Sequence, residues 1–169
     1  VGETIFLKIN ATSSWGFGEA WGNIRSDFRI RENASYGIAE TTPQVVLAML
    51  RVLVRQCGLG QSDLAVGDPM KDIYEHALAY WRGEFPHVTY LSAHGGGGRT
   101  PTPPGSQPVL YYSDRGSVLR TGEWWNPSAG EPIAADHLYA IYERADYMVN
   151  IGALKGHNRG GITLCAKNH

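Results

Sequence analysis

Cysteine is scarce: the 169 residues hold two, Cys57 and Cys165, with no C-x-x-C anywhere. That excludes a disulfide-rich scaffold and any cysteine-only zinc or iron–sulfur site within this chain. Both cysteines follow or sit among apolar residues and read as small buried hydrophobes. Long hydrophobic runs are missing too. The most apolar stretch, residues 45–54, is interrupted by Arg51 and is too short to span a bilayer. Neither sign of charge dominates: 15 Lys plus Arg against 16 Asp plus Glu leave a formal net charge of -1. Such a balance gives no support to a bulk electrostatic footprint for nucleic acid or an anionic membrane. No nucleic-acid partner and no membrane span are expected. A signal peptide is not visible either, and the chain starts at Val1. A fragment or processed product fits that start, so localisation is left unassigned.

What is present suits a single domain over residues 1–169. The chain is 43% hydrophobic and 18% charged, enough to bury a core. Its 21 glycines and 9 prolines point to long shaped loops. Residues 4–10 (TIFLKIN) read as a strand. An aperiodic, aromatic stretch of about 11–42 follows, expected to be an ordered loop that covers something or carries function. Thr42-Pro43 opens a helix over 43–56, with Cys57-Gly58 as its stop. Residues 63–68 (DLAVGD) predict a short buried strand. A helix after Pro69 carries Ile73, Ala77, Leu78 and Trp81, and residues 88–91 make a third strand. The Gly/Pro loop of about 94–108 is incompatible with a helix or a central strand. Its glycine run, Gly95 to Gly98, lacks the Lys-Ser/Thr ending of a phosphate-binding loop and reads as flexible. Residues 109–113 predict a strand, 133–144 a helix and 147–154 a strand. This alternation predicts an α/β fold in three layers, a mainly parallel sheet with helices on both faces.

The C-terminal segment is the most informative: Leu154-Lys155-Gly156-His157-Asn158-Arg159-Gly160-Gly161-Ile162-Thr163-Leu164-Cys165-Ala166-Lys167-Asn168-His169. Ligands of open α/β sheets sit outside the carboxyl ends of the strands, where Lys155 and His157 would project. If the strand persists, these two share a face. Gly160-Gly161 would let backbone N–H groups approach an anion, more so if Ile162 begins a helix. Asp68 closes a strand before Pro69, suited either to a ligand-facing carboxylate or to a helix N-cap. Lys8 and Asn10 share a face at another strand end. His76, His87 and His94 have no partner at metal-ligand spacing, so no metal ligand is assigned.

These pieces, in this order, resemble the uncharacterised family called domain of unknown function 362. The likeness rests on Leu154-Lys155-x-His157, then a glycine, Ile162-Thr163-Leu164 and Lys167-Asn168. It extends to Lys8-Ile9-Asn10, the Thr42-Pro43 helix, Cys57-Gly58, Val66-Gly67-Asp68, and Ala145-Asp146 entering Val149-Asn150-Ile151. The family pattern continues past Lys167-Asn168, so the resemblance implies a domain truncated at its C-terminus. Members are often joined to ferredoxin-like iron–sulfur modules. No such module occurs in this sequence, so no iron–sulfur cluster is expected in this chain alone, and the cofactor is unknown.

The sequence therefore predicts an enzyme or cofactor-dependent domain that binds an anionic small molecule at the strand ends. Lys155, His157 and Lys167 are the expected catalytic residues. Lys8, Asn10, Asp68, Gly160, Gly161 and Asn168 are the expected ligand-binding ones. Lysine suits the task because its ammonium neutralises anions, and histidine because it titrates near neutrality. The alternative is a non-catalytic accessory module associated with an iron–sulfur electron-transfer protein, docking through the aromatic loop from Trp15 to Phe28. A deep pocket near Lys155 would favour the first, an exposed aromatic patch the second.

Overall fold

The computed structural model describes residues 2–17, 22–34, 39–111, 118–119, 132–133, 135–157 and 161–163, with side chains for 2–17, 22–34, 39–107 and 137–156. In chain order the elements are β1 Ile5–Ile9, α1 Pro43–Arg51, β2 Leu64–Gly67, α2 Glu75–Arg82, β3 Thr89–Ser92 and β4 Thr100–Pro101. Then come β5 Pro104–Tyr111, β6 Val118–Leu119, β7 Pro132–Ile133, β8 Ala135–Tyr139 and α3 Ala140–Arg144. The last are β9 Tyr147–Ile151, β10 Lys155–His157 and β11 Gly161–Thr163. The chain divides into two compact units, Val1–Thr102 with Ala145–His169, and Pro103–Arg144.

The first unit is α/β. Its five-stranded sheet runs in the order β4-β3-β2-β1-β9, and every pairing is parallel. Alternation along β1 sends Leu7 and Ile9 into one apolar cluster with Val46, Leu50, Leu78 and Trp81 of α1 and α2. Phe6 and Lys8 occupy the opposite face and are buried as well. All four residues of β2 are buried, as expected of a central parallel strand. Gly67 is required there: a Cβ would lie 2.2 Å from the Leu91 carbonyl oxygen of the neighbouring strand. Pro43 sits in the first turn of α1, where its missing N–H costs nothing. The helix ends in a widened π-type turn over Val52–Gln56, then Cys57, which is exposed rather than buried as expected, and Gly58 with φ +72°. The Trp81 indole N–H donates to the Pro43 carbonyl at 2.9 Å, tying α2 to the start of α1.

The long loop after β1 builds a second small core. Ile24 and Phe28 pack with Tyr74, flanked by Phe17 and Ile30. Buried Arg99 holds this layer down, with its guanidinium 3.7 Å from the centre of the Phe28 ring. The same side chain donates to the Ile73 carbonyl at 2.8 Å and to Glu75 at 3.0 Å. Gly95 to Gly98 all have positive φ. The run expected to be flexible is closed by reciprocal Gly96–Arg99 backbone hydrogen bonds of 3.0 and 2.9 Å. β4 and β5 begin inside the Gly/Pro loop, but neither is central: β4 ends its sheet and β5 pairs with β8 alone.

The helix predicted over 133–144 is corrected in the second unit. Residues Ala135–Tyr139 form β8, antiparallel to β5, and the helix starts only at Ala140. The backbone groups that would close helical turns are taken by the partner strand, which overrides local propensity. Glu143 then accepts the Ser106 and Gln107 N–H groups at 2.9 and 3.3 Å, holding α3 to the start of β5.

Candidate functional site at the strand ends

Parallel pairing aligns the carboxyl ends of β1, β2 and β9 on one rim, with Lys8 in register with Gly67 and Asn150. Polar residues that close those strands therefore meet. The Lys8 ammonium lies 3.2 Å from Asp68 Oδ2, with side chains 5% and 10% exposed, and donates to the Ile9 carbonyl at 2.6 Å. Burial lowers the Lys8 pKa, and the Asp68 carboxylate opposes that shift. Asp68 also accepts the N–H groups of Ala11 and Met70, each at 3.2 Å. It is not a helix N-cap, because α2 begins only at Glu75; the intervening turn uses the carboxylate locally instead.

Lys155, on β10, returns to the end of β1. Its ammonium donates to Asn10 Oδ1 at 3.0 Å and to the Ala39 carbonyl at 2.6 Å. Thr41 completes the bridge: its hydroxyl accepts the Asn10 N–H at 2.8 Å and donates to the Ile151 carbonyl at 2.6 Å. These bonds hold residues 39–41 across the ends of β1 and β9.

Glu40 lies in that held segment. Its carboxylate accepts the Ser13 N–H at 2.6 Å and also the Ser13 hydroxyl. Burial pushes its pKa up to about 7, against the lowering effects of Ser13 and the Lys155 charge. Tyr74, whose own pKa is raised by burial, donates to the Ser13 carbonyl at 3.0 Å. A cavity of about 170 Å³ opens beside this group, lined by Ile9, Glu40, Pro43, Tyr74, Ala77 and Trp81 among others.

Four predicted site residues, Lys8, Asn10, Asp68 and Lys155, thus come together. His157 shares β10 with Lys155, but its side chain lies outside the described residues. Gly161 is placed in β11 opposite His157. Ile162 is therefore in a strand, and the helix start that would have strengthened an anion cradle at the glycines is not formed. Gly160, Lys167 and Asn168 lie outside the described residues. No family model, curated protein or solved structure matches this chain. Among the described residues no group of three or more His, Cys, Asp and Glu side chains could hold a metal ion. No helix among them is long and apolar enough to cross a membrane.

Sequence reasoning missed Glu40, Ser13, Thr41 and Tyr74. All belong to loops or a loop–helix junction without periodicity, so nothing local marks them. It also missed the partner of His94, which is Asp72, at 2.7 Å.

Proposed function

We propose that this chain is an enzyme or cofactor-dependent domain that binds an anionic small molecule at the carboxyl ends of its parallel strands. One observation carries the reading: Lys8, Asn10, Asp68 and Lys155 converge on a single rim of the sheet, where open α/β sheets hold their ligands. Lys8 is sealed beside Asp68 and sets the rim's geometry. Lys155, half-buried beside Asn10 and Ala39 with its charge acting on Glu40, is the cation proposed to meet the ligand anion. Glu40, with a pKa of about 7, is suited to exchange a proton with a bound molecule near neutral pH. His157, Gly160, Gly161, Lys167 and Asn168, which follow in the sequence and carry the residue types such a site needs, are proposed to complete it.

The accessory-module alternative has less support. Phe28 and Ile24 of the aromatic loop are buried, and the Phe17 ring meets Phe28 edge-on at 5.3 Å. The deciding experiment is calorimetric titration of phosphorylated and carboxylated metabolites into the protein. Saturable binding of one such class supports the proposal. Binding of none, with an iron–sulfur ferredoxin captured instead, would replace it with the alternative.

A further inference from the structure

A second chemical feature lies on the same rim and is independent of the lysines. Asp72 follows β2 and Asp68 by one turn of chain, and His94 follows the end of β3. The Ala93 N–H donates to the Lys71 carbonyl at 2.9 Å, which brings the two loops together. The Asp72 side chain is 1% exposed, that of His94 52%. Asp72 is held from both sides of its peptide unit. Its N–H donates to the Ser14 carbonyl at 3.1 Å, and its carbonyl accepts the Ser14 hydroxyl. Its carboxylate takes two bonds from one residue, the His94 backbone N–H at 3.2 Å and the ring Nδ1 at 2.7 Å. The His94 ring also rests against Phe17, with centroids 4.7 Å apart.

A carboxylate on Nδ1 selects the tautomer with its proton there, leaving the Nε2 lone pair as a base. Among the described residues Nε2 makes no hydrogen bond. The four positive-φ glycines that follow leave the neighbouring chain without side chains. A buried carboxylate orienting a half-exposed imidazole is the base–orienter arrangement of hydrolytic sites. The nearby serines, Ser14 and Ser92, are fully buried, Ser14 donating to the Ala11 or the Asp72 carbonyl and Ser92 accepting the Gly95 N–H, so neither hydroxyl is open to a substrate. Water is then the nucleophile.

We propose that Asp72 and His94 form a proton-transfer pair that activates water against a small carboxylic ester. His94 Nε2 takes a proton from water as the water oxygen bonds to the ester carbonyl carbon. The tetrahedral adduct then collapses, the bond to the alcohol oxygen breaks with its electron pair, and the imidazolium returns the proton to that oxygen or to solvent. Asp72 acts as a positioning residue.

The probe is 4-nitrophenyl acetate, a neutral ester that makes no demand on Lys155, so the outcome is separable from that of anion binding. The parent protein should release 4-nitrophenolate at least about tenfold faster than His94→Gln, within the usual reach of general-base catalysis. His87→Gln should keep the parent rate, and release should slow in heavy water. Asp72→Asn should move the His94 ring proton from Nδ1 to Nε2 in nitrogen NMR spectra and slow the reaction with it, and only the loss of rate separates a catalytic pair from a purely structural contact. Because Asp72 is buried, that variant is read only where its far-UV spectrum is native; half-exposed His94→Gln carries the test otherwise. A His94→Gln protein as fast as the parent, or an acyl-enzyme burst insensitive to heavy water, would overturn the proposal.

Discussion

Lys8 of β1 and Asp68, the residue just after β2, form an ion pair of 3.2 Å with almost no access to water. Opposite charges in such a place are a hazard when separated, because each partner neutralises a desolvation cost that the other would otherwise leave exposed. The pair also explains why Asp68 serves the rim rather than a helix.

Asp68→Asn should accordingly destabilise the protein by about 3–5 kcal/mol, the usual result of stranding a buried charge. Lys8→Met combined with Asp68→Asn should recover a large part of that loss, since no buried ammonium is then left without the Asp68 carboxylate. Urea denaturation of the parent, the single variant and the double variant measures the coupling. A cost below about 1 kcal/mol, the range of exposed pairs, for Asp68→Asn would mean that water reaches Lys8 after all.

Glu40 makes stability depend on pH near neutrality. Its carboxyl is raised from an ordinary 4.5 to about 7, so the folded protein keeps a proton that the unfolded chain has released. Stability should fall as pH rises from about 4.5 to about 7, and the loss should be complete above that. Its size is up to about 3 kcal/mol, at 1.36 kcal/mol per pKa unit. Glu40→Gln should flatten this part of the profile and be the more stable protein at pH 8. Denaturation of both proteins at pH 5 and pH 8 tests it; parallel profiles would contradict the assignment.

Lys155 should show its charge twice. Its positive field lowers the Glu40 pKa, so Lys155→Met should move the Glu40 titration further above about 7, followed by carbon NMR of the carboxyl. The same change should weaken binding of an anionic ligand about tenfold or more, the worth of one charge-assisted hydrogen bond. An unmoved Glu40 titration would place the ammonium too far away to act.

Gly67→Ala tests how closely the strands approach at the rim. The new Cβ would meet the Leu91 carbonyl oxygen at 2.2 Å and the Leu91 Cβ at 2.8 Å. Both are on a paired strand that cannot swing aside like a side-chain tip. Overpacking of this kind costs about 1–3 kcal/mol, readable as a lower Tm. An unchanged Tm would show that β2 and β3 part easily.

Much of the rim was legible because strand chemistry is local. A β-branched or apolar run of five or so residues announces β1, β2 and β9. The polar residues that close such runs must then lie at the strand ends, as Lys8, Asn10 and Asp68 do. The Thr42-Pro43 start and the Cys57-Gly58 stop likewise marked α1, and the helical spacing of Ala77, Leu78 and Trp81 marked α2, although Ile73, assigned to the same helix, precedes its start at Glu75. The segment of Ala135–Tyr139 misled, since its strand state comes from β5 and its own spacing is also that of a helix.

From sequence alone follow the alternation of strands and helices, the parallel sheet it demands, and the gathering of strand-closing lysines and carboxylates at one edge. Each depends on neighbours a few positions apart. Tertiary structure alone decided that Glu40 lies against Ser13, that Tyr74 joins them, and that Asp72 holds His94. Those groups come from loops without periodicity, and loops are placed by hydrogen bonds to partners distant in the chain, such as Thr41 to Ile151. The reading of local residue types ends where backbone groups must find partners across the fold.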